Sequence, residues 1–335
     1  MRLNPRRSIR KYAMNTRPFI RLSQYLAVTA LSAMSGLAQA NLMPLRTYAA
    51  SPYQSLSFTP QLRSAFHDQG HEVFAGIAAG SVWAQSAEFE LDYYQNQAFV
   101  GVNYQINDKL SAEVMYRYAW AGDNKLDGLT KDFHDLVGMG QNGRDEVSDH
   151  RFSMASHAYG MELPDFENDT MSSEFHGYLQ YQLYASERHA WAIGGSLYYN
   201  DVPSGTFKRS SFEQGVQLNY SFRHRAHGVF SSLGYSHRND GAIVFDAPIN
   251  KHSWSFAAGY GYQFNERHGV ILQYHVYEGV LDDNSAFGDA TQEVVAGYRY
   301  RRNQFALELS MTENIVNMDN STDIYFATTL RYFWD

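Results

Sequence analysis

The chain has no cysteine among its 335 residues. That excludes a disulfide framework, a thiolate metal site and a lipid-modified cysteine. Beyond its first forty residues it also lacks any run of eighteen apolar residues, so no helix can cross a hydrocarbon core of ~30 Å. Residence in a membrane therefore falls to strands. Basic charge is the third deficit. Of 27 Lys and Arg, seven (Arg2, Arg6, Arg7, Arg10, Lys11, Arg17 and Arg21) lie in the first forty residues, which hold none of the 35 Asp and Glu. The remainder keeps 20 basic against 35 acidic residues, a formal charge of −15. A chain this acidic offers no basic patch to neutralise phosphates, so nucleic acid is excluded as a partner.

What is present begins with an export order. The seven basic residues precede a mostly apolar stretch from Tyr25 to Leu37 and then Ala38-Gln39-Ala40. A basic start, an apolar core and a small-x-small site predict a signal peptide over residues 1–40, cleaved near Ala40.

From residue 72 onward, aromatic and β-branched residues alternate with small and polar ones in runs of about ten, the period of strands. Phe175, Gly177, Leu179, Tyr181 and Leu183 alternate with Glu174, His176, Tyr178, Gln180 and Gln182. The pattern predicts twelve strands, near 72–84, 89–106, 110–121, 174–185, 189–199, 211–223, 227–237, 253–264, 268–277, 291–301, 304–312 and 323–334. Short connections fall at 107–109, 186–188, 224–226, 265–267 and 302–303, while the longest runs from 122 to 173. Tight turns at one end and long loops at the other is the plan of outer-membrane barrels.

The two rows of each strand differ in kind. From the third strand to the twelfth the apolar row holds no Asp, Glu, Lys or Arg, whereas the opposite row carries Glu113, Arg117, Glu213, Arg223, Glu293, Arg299, Glu308 and Arg331. A charge facing lipid at mid-depth costs ~2–4 kcal/mol, which accounts for the exclusion. Tyr104, Tyr220, Phe222, Tyr262, Phe264, Tyr298 and Tyr300 sit just before short turns as an aromatic girdle. A soluble β-sandwich also alternates, but its inner faces are mainly aliphatic and its turns do not alternate in length. The expected fold is all-β: a closed antiparallel transmembrane β-barrel of about twelve strands over residues 71–335. Residues 41–70 do not fit the strand pattern and could form a periplasmic strap or enter the lumen as a plug, since one short segment can largely fill such a barrel. Glu113, Arg117, His176, Glu213, Arg223, Arg299 and Arg331 are the candidate lumen-facing residues. Such mixed charges either contact a passing solute or pair with one another and hold the wall shut.

The densest chemistry lies at residues 126–145, "LDGLTKDFHDLVGMGQNGRD". Gly138, Gly140 and Gly143 match a dinucleotide fingerprint by letter, but the helical pattern precedes the glycines instead of following them, which excludes that reading. Asp127, Asp132, His134, Asp135, Asp145 and Asp149 suit a hard cation in type but not in EF-hand spacing. His134 beside Asp135 has no serine nearby to activate. The pattern instead predicts a short helix capped by Asp127, with Leu129, Phe133, Leu136 and Val137 on one face, in the largest outer loop. No metal or cofactor is called for. His237 with Ser231 or Ser236 is the remaining pairing a membrane hydrolase could use.

This stretch resembles a family of proteobacterial outer-membrane proteins known only as a domain of unknown function. The resemblance rests on Leu126, Asp127, Gly128, Phe133, His134, Asp135, Gly138, Gly143 and Arg144, together with the start "NLMPL" at residue 41. It implies a barrel and an outer-membrane location, with outer-membrane lipid, lipopolysaccharide and the barrel assembly machinery as partners. The function expected is a passive channel or small-solute transporter with the motif loop at its mouth. A lipid hydrolase and a closed structural or adhesion barrel are the alternatives.

Overall fold

The computed structural model describes residues 42–67, 70–125, 151–239, 247–314, 316, 320, 322 and 324–335, all within the compact unit Ala38–Asp335. A single 3-10 turn, Gln54–Leu56, precedes the strands β1 (His71–Gln85), β2 (Phe89–Asn107), β3 (Leu110–Ala121), β4 (Ser153–Ser156), β5 (Met161–Leu163), β6 (Thr170–Ala185) and β7 (His189–Val202). They continue as β8 (Arg209–His224), β9 (His227–Arg238), β10 (His252–Gln263), β11 (His268–Tyr277), β12 (Thr291–Arg302), β13 (Phe305–Asn314) and β14 (Ile324–Trp334). All pairings are antiparallel between neighbours, and β1 pairs with both β2 and β14, so the sheet closes. Of the fourteen strands, β4 and β5 form a small hairpin that extends the sheet beside the start of β2, which leaves twelve in the ring.

Each predicted strand is present, with ends displaced by four residues at most. The β4–β5 hairpin was not foreseen, because four and three residues are too few to display a period of two. The helix expected in the motif loop lies outside the described residues.

The short turns are fixed by local chemistry. Asn107 accepts the backbone N–H groups of Lys109 and Leu110, Asn265 those of Arg267 and His268, and the Ser186 hydroxyl that of His189. Side-chain oxygens that capture backbone two and three residues on hold a chain in a tight reversal. Arg225 and Asn303 take the remaining two turns with φ of 53° and 55°, the sign that matches the twist of flanking strands.

Lipid is the solvent the outer wall is made for. Val100, Val102, Val114, Leu179, Ile193, Leu197, Val216, Leu218, Leu233 and Leu272 are all exposed large apolar side chains on the ring strands. Histidines open β7, β9 and β11 at the short-turn end, and each meets a tyrosine hydroxyl of the next strand: His189 with Tyr220 at 2.9 Å, His227 with Tyr260 at 2.6 Å and His268 with Tyr298 at 2.5 Å. His71 stacks on Tyr104 with ring centroids 4.3 Å apart. These amphipathic rings suit the boundary between hydrocarbon and headgroups.

Leu233 faces Leu218 on one side and Phe256 on the other, in the middle of this belt. Replacing it with arginine (Leu233→Arg) is expected to lower folding stability in lipid vesicles by ~2–4 kcal/mol, measured by reversible urea unfolding. An unchanged midpoint would show that this wall does not face lipid.

Candidate functional site

The interior is occupied by the chain's own residues 42–67. Leu42 packs near Gly228, Gly261 and Gly269 close to the short turns, the 3-10 turn lies far up the lumen, and Ala65 and Phe66 return to pack on Ala190 and Ala192. The segment thus rises and descends as a plug. Apart from that turn it has no regular structure, so its buried backbone must find other partners. The wall supplies them. Leu45 N–H donates to Gln273, Arg46 N–H to Glu308, Phe58 N–H to Glu213, Arg63 N–H to Ser232 and Ala65 N–H to Ser221, at 2.7–3.2 Å. Glu293 accepts the Ala50 and Ser51 N–H groups and the Ser51 hydroxyl, each at 2.9 Å. Glycines on the inner wall make room: a Cβ on Gly234 would lie 2.6 Å from Pro60, and one on Gly259 2.7 Å from Leu62.

Ion pairs tie plug to wall. Glu113 takes the Arg63 guanidinium through both oxygens at 2.8 Å and also pairs with Arg46. Arg46 reaches on to Glu72 at 2.9 Å and lies over the Phe74 ring at 3.8 Å. Glu72 is gripped by Arg331 through bonds of 2.7 and 2.9 Å, and Arg331 joins Glu308 at 2.8 Å, which Arg299 also holds, at 2.7 Å. Four guanidiniums and three carboxylates therefore form one connected lattice at the short-turn half. Higher up, Arg117 pairs with Glu174 and donates to the Ser55 carbonyl at 3.1 Å, and Arg238 pairs with Glu213 at 3.2 Å.

Glu113, Arg117, His176, Glu213, Arg299 and Arg331 are all buried in this interior. His176 bonds Ser196 at 3.1 Å and packs against Phe58. Arg223 sits apart, only half-buried near the short turns, with its guanidinium 3.8 Å over the Phe66 ring. Sequence reasoning missed Arg46, Arg63 and Glu72, which complete the lattice. Two arginines within a stretch holding no Asp, Glu or Lys were the available signal for a segment that meets buried carboxylates. Beneath the lattice a cavity of about 90 Å³ opens at the short-turn end, lined by Arg46, Arg63, His67, Gln105 and Arg331 among others.

The opposite end is closed differently. Tyr53 and Leu56 at the plug apex enter an apolar cluster with Phe89, Leu91 and Tyr93 of β2, Met154 of β4 and the loop residues Phe152, Phe166, Phe207, Val280, Leu281 and Phe287. Tyr53 meets Phe287 edge-on at 4.6 Å, Phe287 meets Phe89 at 5.0 Å and Phe166 meets Phe207 at 5.3 Å. Three loops and the hairpin are drawn together as a dome. Asp283 accepts hydrogen bonds from Tyr159 and Ser285, both at 2.6 Å, across the top. Partial burial pushes the Asp283 carboxyl up, but those bonds outweigh it and hold the group below its ordinary value.

The motif residues Leu126, Asp127, Gly128, Phe133, His134, Asp135, Gly138, Gly143 and Arg144 lie outside the described residues. The serine and histidine pairing around His237 is not formed. Ser236 turns inward, with its hydroxyl toward the Ser253 carbonyl, while His237 faces the other way toward His252. Ser231 lies six residues along the strand, roughly 20 Å off at the strand rise.

A family model described as a protein of unknown function (DUF3187) matches residues 20–334. No curated protein matches the chain. Among solved structures, an outer membrane channel from Pseudomonas putida F1 aligns at 12% identity over 79% of this chain and 95% of its own, with a TM-score of 0.49. The NanC porin aligns at 9% identity over 78% and 98%, TM-score 0.45. The translocator domain of the autotransporter NalP from Neisseria meningitidis aligns at 9% over 80% and 90%, TM-score 0.42.

Two outcomes follow from the site. Glu113→Ala leaves Arg46 and Arg63 buried without their shared carboxylate, and the expected cost is ~3–5 kcal/mol, read as a lowered unfolding midpoint with faster proteolysis of residues 42–67. For the dome, a depressed Asp283 carboxyl gives a contribution that is complete above the free value of 3.8 and lost as pH falls through the lowered one. Tyr159→Phe should raise the Asp283 titration midpoint toward 3.8, measured by carboxyl NMR.

Proposed function

The chain belongs to the DUF3187 family, so its activity has to be read from its own geometry, and we propose that it is an outer-membrane conduit for small solutes that its N-terminal segment holds closed. The observation that carries this reading is how the plug is attached. Its backbone is bound to side chains of the wall rather than added to the sheet as another strand. Polar contacts of this kind exchange for water with little net change, about 0.5–1.5 kcal/mol each, so the segment can leave without unzipping the barrel. The wall behind it is polar and charged, as a water-filled pore requires. Once the plug withdraws, Glu72, Glu113, Glu308, Arg299 and Arg331 face the path and contact the solute. The short-turn end faces the periplasm and the dome faces outward, in keeping with the outer-membrane plan of short periplasmic turns. Outer-membrane lipid then surrounds the belt, with lipopolysaccharide around the dome.

A closed structural barrel is the second reading, favoured by the aromatic dome that seals the long-loop end. Conductance decides between them. Mature protein refolded into planar bilayers is expected to stay mostly closed, whereas deletion of residues 42–67 gives discrete, larger current steps. Gly215→Phe fills the seat of the Phe58 ring and should produce intermittent openings in an otherwise intact chain. If both variants fold, by circular dichroism and heat-dependent migration, and both remain silent, the barrel is structural.

A further inference from the structure

We propose that His237 and His252 form a chelating pair for a borderline divalent transition ion, Zn2+ fitting best, on the outward face of the barrel at its long-loop end. The two residues are direct cross-strand partners, His237 being the penultimate residue of β9 and His252 the first of β10. The neighbouring pair is joined by a bond of 2.8 Å from Arg238 N–H to the Lys251 carbonyl. Narrow and wide pairs alternate along an antiparallel ladder, so His237 and His252 occupy the position at which side chains approach most closely. Their imidazoles converge: Nδ1 of one lies 3.4 Å from Nδ1 of the other, and the ring centroids are 4.8 Å apart.

That separation is long for a hydrogen bond between ring nitrogens and fits a shared ion. With metal to nitrogen bonds of about 2.0–2.1 Å, two ligands of a tetrahedral centre stand about 3.3–3.4 Å apart. A square or octahedral ion would bring adjacent nitrogens to about 2.9 Å, which the pair meets less well. His252 is exposed and His237 partly exposed at the rim, while Arg238 and Glu213 are paired with each other on the inner face. No guanidinium therefore shares the outward pocket through that pair. The Tyr235 hydroxyl touches the His252 Nδ1 at 2.5 Å. It must swing by about 1 Å to clear the ligand edge, after which it or water completes the coordination. Among the described residues no group of three or more His, Cys, Asp or Glu is placed to hold a metal, so the site has two protein nitrogens and open positions, a peripheral rather than an enclosed centre. An ion there would fasten β9 to β10 where the loop between them begins.

Untagged, refolded mature protein in detergent micelles is titrated with ZnCl2 by calorimetry. One ion per chain is expected, with affinity at least tenfold weaker in His237→Gln and in His252→Gln, and unchanged in His268→Gln, whose cross-strand partner is Tyr300 and whose ring meets the Tyr298 hydroxyl. Circular dichroism establishes that each variant is folded, and the exposed positions make unfolding an unexpected result. Absence of heat in the parent protein at millimolar Zn2+, or equal binding by parent and both variants, would overturn the site. Should one of the two variants not fold, the other carries the same comparison.

Discussion

Glu113 is the residue on which the interior depends. Its carboxylate is fully buried and its ionic partners are two arginines of the plug, Arg46 and Arg63. Taking a carboxylate out of water costs several kcal/mol, and only well-placed counter-charges recover it. Glu72, Glu174 and Glu213 each have a cation on the wall itself, in Arg331, Arg117 and Arg238. Glu113 has its cations on the plug. Wall and plug are therefore electrostatically incomplete without each other, and the lattice spreads that dependence through Glu72 and Glu308 to the other side of the ring. Water admitted to a vacated lumen would solvate the same groups, which would lower the cost of parting them.

Two solvents organise the rest. Outside, branched aliphatic residues alternate with nothing charged, because lipid tolerates none; inside, amides, hydroxyls and ions alternate, because the plug brings unpaired backbone that only they can satisfy. The dome is the exception. There the apex residues Tyr53 and Leu56 leave the polar lumen and join phenylalanines from three loops, so the plug is anchored by burial of apolar area at one end and by ions at the other. Chemistry that answers to different conditions holds the two ends.

The barrel was legible because its signal is repeated. Twelve runs of alternation, charge confined to one row and turns of alternating length each report the same closed sheet, and an error in any one strand leaves the others standing. The fate of residues 41–70 was not legible: a segment without periodicity gives no sign of which surface it meets, and its contacts with Glu293 and Glu213 lie more than 150 residues away in the chain. For the same reason the lumen row was readable as a row but not as a lattice, since Arg46 and Arg63 join it only through the fold. Of the serines considered with His237, alternation sets Ser236 on the opposite face and strand rise sets Ser231 too far away, and its cross-strand neighbour His252 could be found only from register. The family resemblance rested on residues 126–145, which lie outside the described structure, while the family match spans residues 20–334.

Sheet closure and plug attachment meet at the seam between β1 and β14. Glu72 pairs with Phe333 in the ladder while its side chain grips Arg331, one strand over, and Arg46 of the plug. The backbone pairing that closes the ring is thus also the place where the plug's Arg46 shares a carboxylate with the wall. Loss of the plug would leave Glu72 with Arg331 as its partner and the ring still paired, so the seam can hold the barrel shut with or without its contents.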